Sequence, residues 1–89
     1  REAIITRSSF ERANLSNCDM CKVSAKYCNF SKSKLMQADM REGDFEHSTF
    51  NHANLYSANL ERANLQFASM TEANVERAII INLRAGPLI

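Results

Sequence analysis

Every fifth residue from Ile5 to Ile80 is apolar: Ile5, Phe10, Leu15, Met20, Ala25, Phe30, Leu35, Met40, Phe45, Phe50, Leu55, Leu60, Leu65, Met70, Val75 and Ile80. The series has no exception. A period of five residues fits neither regular element, since a helix repeats at about 3.6 residues and a strand at about 2. A helix would wind these side chains around all its faces. Two residues before each lies a second series that is small at every position except Val23: Ala3, Ser8, Ala13, Cys18, Val23, Cys28, Ser33, Ala38, Gly43, Ser48, Ala53, Ala58, Ala63, Ala68, Ala73 and Ala78. The residue between the two series is mostly Asn, Asp, Ser or Thr, whose side chains bond to nearby backbone and stabilise turns.

Residues two apart point the same way on an extended backbone, so both series face inward if each five-residue unit is one short side of a coil. Four such sides make a square circuit of 20 residues, and positions 20 apart then stack into core columns. These are Ile5, Ala25, Phe45 and Leu65; Phe10, Phe30, Phe50 and Met70; Leu15, Leu35, Leu55 and Val75; and Met20, Met40, Leu60 and Ile80. The irregular positions exchange volume: Val23 accompanies Ala25, and Gly43 accompanies Phe45 one coil later, as close packing requires. The chain has only two Gly and one Pro, too few for a sandwich or barrel whose tight turns lean on them, so its turns use another device.

The 89 residues suffice for one domain, with the repeat expected over residues 1–82 and a cap, or the start of a following segment, over 83–89. A chain that opens on Arg1 is expected to be part of a longer protein. Eleven basic against ten acidic residues give a net charge of +1, which argues against a general nucleic-acid binder. Residues 1–42 carry eight Lys/Arg and five Asp/Glu, residues 43–89 three and five. No apolar run approaches the roughly 20 residues of a membrane span. Three cysteines, an odd number, point to buried thiols in a reducing compartment, bacterial or host cytoplasm, with secretion as an effector also open.

Ala13-Asn14-Leu15, Ala53-Asn54-Leu55-Tyr56-Ser57, Ala58-Asn59-Leu60-Glu61-Arg62 and Ala63-Asn64-Leu65-Gln66-Phe67 carry a motif of a small residue, Asn or Asp, Leu or Phe, and two variable residues. In this the chain resembles the pentapeptide-repeat family across residues 3–82. Departures are Ile4, Lys34 and Ile79 at the polar position, Val23 at the small one and Ala25 at the large one. The resemblance implies an all-β fold, a right-handed quadrilateral parallel β-helix of about four coils, roughly 20 Å tall at the usual strand spacing. Stacked coils bury their inner residues against one another, which lets a short chain hold a core.

Chemistry is sparse in this register. Cys18-x-x-Cys21, Cys28, His47 and His52 could suggest a metal site, but the register separates them: Cys18 and Cys28 face inward on different sides and Cys21 is expected to face out. No nucleophile and base pair, paired carboxylates or phosphate loop is recognisable, and a filled prism offers no deep pocket, so neither catalysis nor a cofactor or metal is expected. The outward columns say more. Tyr27, His47 and Phe67 fall on one column, an exposed aromatic ladder of the kind binding surfaces use, or one that stabilises a coil edge by stacking. Met36 and Tyr56 form a smaller apolar pair on another column. Lys22, Glu42 and Arg62 alternate in sign, as do Arg41 and Glu61, in the manner of a solvated ladder that guards register. At the end, Ile79 and Ile81 break the outward polar rule, and with Leu83, Leu88 and Ile89 they imply a cap, further chain or a homodimer.

These readings favour a non-catalytic scaffold that binds a protein partner, with no nucleic acid and no membrane, within a larger protein such as a bacterial effector or adaptor. Two alternatives follow from the resemblance: a DNA-mimicking inhibitor or protector of gyrase-type topoisomerases, or an accessory domain that positions a catalytic domain. The apolar C-terminal end suits the first, and the net charge does not.

Overall fold

The computed structural model describes residues 2–85. Along that whole length one local pattern recurs: a two-residue turn, a small inner residue, a bridged residue and a large inner residue. The bridged residues pair in parallel with residues 20 positions away, from Ile4↔Ser24 through to Asn64↔Arg84. Each circuit therefore has four sides, and the stacked coils measure 26 × 26 × 23 Å. Pairing takes the form of isolated bridges rather than continuous strands, because a turn interrupts the extended backbone before a second residue can pair.

Where Asn or Asp stands at the bridge the repeat can account for all five of its backbone N–H groups, as the unit around Leu55 illustrates. Asn54 donates to the Ser33 carbonyl of the preceding coil at 3.0 Å, while Leu55 and Ser57 donate to Asn74 and Glu76 of the following coil at 2.7 and 3.0 Å. Ala58 closes the turn on the Leu55 carbonyl at 2.9 Å. The remaining donor, Tyr56 N–H, goes to Asn54 Oδ1 at 3.1 Å. The same side-chain bond recurs at Asn14, Asp19, Asn29, Asp39, Asp44, Asn59, Asn64 and Asn74. An Asn or Asp is thus preferred at the bridge because it satisfies an N–H that the coil-to-coil backbone bonds leave over.

The turning device is a left-handed residue at every corner. Among the described residues seventeen non-glycine residues from Glu2 to Asn82, spaced five apart, have φ between 55 and 64°, whereas Gly43 does not have positive φ. Positive φ in the third position of a hydrogen-bonded turn is the type II signature, which usually selects Gly or Asn. Here the position accepts Arg, Lys, Glu, Gln, His, Tyr and Phe, yet none of the seventeen is β-branched, the side-chain class for which this region is most costly. The preceding turn residue carries no such restriction, holding Thr6, Thr71 and Ile81.

Inside, Phe30, Leu35, Met40, Phe45, Phe50, Leu55, Leu60 and Leu65 are all at most 1% exposed. Full burial of each such side chain contributes about 1.5–3 kcal/mol. Phe10, Phe30 and Phe50 stack at 5.3 and 4.9 Å, with Phe45 edge-on to Phe30 and Phe50 at 5.9 and 5.7 Å. One turn is built differently. Cys28 N–H donates to Ser48 Oγ at 3.0 Å, and the Ser48 hydroxyl donates to the Ala25 carbonyl at 2.7 Å. A hydroxyl from the coil above thereby stands where other turns have a direct bond.

Three expectations are corrected. The coil does not stop at residue 82: Leu83 packs against the core and Arg84 bridges Asn64. Val75 and Ile80, placed in core columns by the register, are 47 and 58% exposed because no described coil lies above them. Cys21, expected to face solvent, is 4% exposed, in the column that continues to Arg41 in the next coil. Gly86–Ile89, including the expected contact residues Leu88 and Ile89, lie outside the described residues.

Candidate functional site

The corner residues Tyr27, His47 and Phe67 belong to three successive coils, and their shared left-handed backbone aims all three side chains outward. Their rings stack nearly parallel, with centroids 4.8 Å apart for Tyr27 and His47 and 4.9 Å for His47 and Phe67. The spacing is that of the coils themselves, so the ladder follows from register alone. Arg7 extends it by one rung, its guanidinium carbon 4.5 Å from the Tyr27 ring centroid. That extra member could have been found in the sequence, since Arg7 is 20 residues before Tyr27. Stacking shields the ring faces but leaves the edges in water: Tyr27 and Phe67 are each 46% exposed.

The other residues singled out by the sequence lie elsewhere. Met36 and Tyr56 occupy a different corner and are half-buried. His52 Nδ1 lies 3.8 Å from Glu72 Oε1, one corner beyond the ladder. Ile79 and Ile81 are 42 and 60% exposed beside the open end of the stack, where Leu60, Leu65, Met70, Ala73, Val75 and Ile80 line an apolar hollow of about 240 Å³.

Some charges on the outer faces are paired within or between coils. Lys26 lies between Asp44 and Glu46 at 3.6 and 3.7 Å. Arg41 makes two bonds of 2.8 Å to the Asp39 carboxylate, which raise the guanidinium pKa further above its ordinary value. Arg41, Glu42, Glu61 and Arg62 flank a shallow polar groove of about 180 Å³ in which opposite charges alternate. Cys18, Cys21 and Cys28 are free thiols. Burial pushes the Cys18 and Cys28 thiols up, away from the reactive thiolate, and Cys28 Sγ donates to the Ile5 carbonyl at 2.8 Å. Among the described residues no group of three His, Cys, Asp or Glu could hold a metal ion, and no helix is long and apolar enough to cross a membrane.

Stacked five-residue sides, parallel bridges at a spacing of 20 residues and a filled apolar interior define the class as a β-helical repeat solenoid. The profile of the pentapeptide repeats family matches residues 3–41 and 43–80 in eight copies. The chain belongs to the pentapeptide-repeat family, and its fold is the right-handed β-helix. It is similar to the pentapeptide repeat protein Rfr23 from the cyanobacterium Cyanothece 51142, with 25% identity and a TM-score of 0.94 over 96% of this chain and 58% of that one. It is also similar to a pentapeptide repeat protein from the Arabidopsis thaliana thylakoid lumen, with 25% identity and a TM-score of 0.57 over 88% of this chain and 61% of that one. The chain thus spans about three fifths of the length of these two structures. No curated protein matches it by sequence.

Proposed function

We propose that this domain is a non-catalytic scaffold whose protein partner docks along the corner formed by Tyr27, His47 and Phe67. The observation that carries the reading is the aromatic ladder: three rings in register, held rigid by stacking, with two of them nearly half exposed. Aromatic side chains lose little conformational freedom on binding when they are fixed beforehand, and they dominate interface energetics where they occur. Family membership supports the reading, since a filled solenoid offers flat sides rather than a pocket for chemistry. The DNA-mimic alternative is disfavoured by the surface, because a duplex mimic needs an acidic excess and these columns run Glu2, Lys22, Glu42, Arg62 in alternating sign.

The test begins with a photo-cross-linking residue in place of Phe67, and in place of Gln37 as a control on another corner, to recover a partner in cells. Affinity of the recovered partner for the Tyr27→Ser, His47→Ser, Phe67→Ser triple variant is then measured by calorimetry, with circular dichroism confirming the fold. Weakening by about tenfold or more is expected. Undiminished binding by a folded triple variant would remove the ladder from the contact. The open end with Ile79, Ile81 and Leu83 is a second contact in this reading. Its cover by another copy would appear as a concentration-dependent dimer in light scattering that Ile81→Glu dissolves.

A further inference from the structure

On the square prism, outward side chains form a grid whose rows are coils, and the rows of two sides invite comparison. On one side Lys22, Ser24 and Lys26 make a basic row, and the next coil answers with Glu42, Asp44 and Glu46, which places Lys26 within ion-pair distance of both Asp44 and Glu46. On the side centred on Asn14, Lys34, Asn54 and Asn74, the second coil presents Lys32, Lys34 and Met36. Arg12, Asn14 and Ser16 stand on one flank of that row and His52, Asn54 and Tyr56 on the other. Arg12 and Lys32 share a column, so two cations stack directly, with Lys34 beside them. All three are exposed. Among the described residues no carboxylate comes within ion-pair distance of any of them, and the nearest acid along their column, Glu72, lies against His52. Like charges opposite one another on paired strands are destabilising. The chain pairs Lys26 of its other basic row from within and leaves all three cations of this side open.

We propose that this side is a further interaction surface, which takes an extended acidic peptide segment of a partner protein. The acidic side chains of the segment supply the row that the fold omits over Arg12, Lys32 and Lys34. An apolar side chain rests against the half-buried pair Met36 and Tyr56 at the far margin of the same side. That apolar margin is what selects a peptide over a polyanion such as a nucleic acid, whose phosphate backbone has nothing to place there. The amides of Asn14 and Asn54 between the two groups suit the polar backbone of such a segment. The ladder at Tyr27, His47 and Phe67 lies on a different corner and is not involved.

The probe is a short fluorescein-labelled peptide in which glutamate alternates with serine and the last residue is phenylalanine. Its anisotropy is followed at low and at physiological salt. Controls are the glutamine counterpart, the peptide without phenylalanine, a single-stranded oligonucleotide of equal charge and phosphatidylserine vesicles. The cation variant combines Arg12→Gln, Lys32→Gln and Lys34→Asn, residue types that the repeat already holds at equivalent positions in Gln37 and Asn14. It should bind the acidic peptide about tenfold more weakly at low salt while melting at the same temperature as the parent or higher. Met36→Ser with Tyr56→Ser should weaken the phenylalanine peptide and leave the shorter one unchanged. The Tyr27→Ser, His47→Ser, Phe67→Ser variant should bind the peptide as the parent does, which separates this surface from the ladder. Equal peptide affinity in parent and cation variant overturns the proposal. So does a lower melting temperature of that variant, which would make the cations structural, or equally tight binding of the oligonucleotide or vesicles, which would make the side a general polyanion surface.

Discussion

Gly43 and Phe45 share one side of a coil, and the interior tolerates the ring only because the glycine is there. A Cβ built on Gly43 would fall far inside carbon–carbon contact distance of Phe45 Cε2, 2.8 Å from Cζ and 3.3 Å from the Met40 carbonyl oxygen. Carbon atoms in contact rest at about 3.5–4.0 Å, so the ring would have to retreat by roughly 1 Å. It has nowhere to go, being fully buried and edge-on to Phe30 and Phe50. Gly43→Ala should therefore cost about 1–3 kcal/mol, the range for overpacking a core. Phe45→Leu alone should cost about 1–2 kcal/mol for the void it leaves, between the loss of a methylene and that of a whole ring. Combined, the two substitutions recreate the pairing at Ala53 and Leu55, Ala58 and Leu60, and Ala63 and Leu65. The double variant should be no less stable than Phe45→Leu alone, a coupling of about 1–3 kcal/mol in its favour. Urea unfolding followed by far-ultraviolet circular dichroism measures all four corners of the cycle. A Gly43→Ala cost below about 0.5 kcal/mol with additive substitutions would refute the packing argument.

Three further predictions bear on other parts of the repeat. Ser48→Ala removes the hydroxyl that joins Ala25 O to Cys28 N–H and should lower stability by about 1–2 kcal/mol, unless the turn recloses directly, in which case urea midpoints will match. Gln37→Ile places a β-branched residue at a φ of 59° and should cost about 1–2 kcal/mol, while Met36→Ile at the adjacent turn residue should cost distinctly less; equal costs in thermal melts would contradict the corner geometry. The Cys28 thiol keeps its proton to higher pH in the folded chain because burial disfavours the thiolate. Its contribution is thus complete below the ordinary thiol range and falls as pH climbs through that range toward the raised folded value. Urea midpoints compared at neutral and mildly alkaline pH should fall less in Cys28→Ser than in the parent, and parallel declines would exclude the effect.

The aromatic ladder was legible from numbering alone, because residues 20 apart in a four-sided coil of five-residue sides must be neighbours. The αL corners were not anticipated, although their mark is visible: the second turn position excludes β-branched residues throughout, whereas the first admits Thr and Ile. That signal is an absence, and an apolar period does not direct attention to it. Cys21 departs from its expected exposure for a different reason. Position in the repeat gives the direction of a side chain, whereas exposure also depends on how far its neighbours reach across it, and the short Cys21 side chain is 4% exposed.

By itself the sequence determined the register, the inward and outward sense of nearly every side chain, and the identity of the residues above and below each one. It could do so because in a solenoid long-range contacts occur at one fixed separation, which the repeat length states directly. Tertiary structure decided what arithmetic cannot express: that Val75 and Ile80 lie at an open end, that the Ser48 hydroxyl enters the turn of the coil beneath, and that Phe45 turns its ring into the space of Gly43. Those outcomes depend on side-chain rotamers and on what stands above the last described coil. Neither is periodic, so no repeat encodes them.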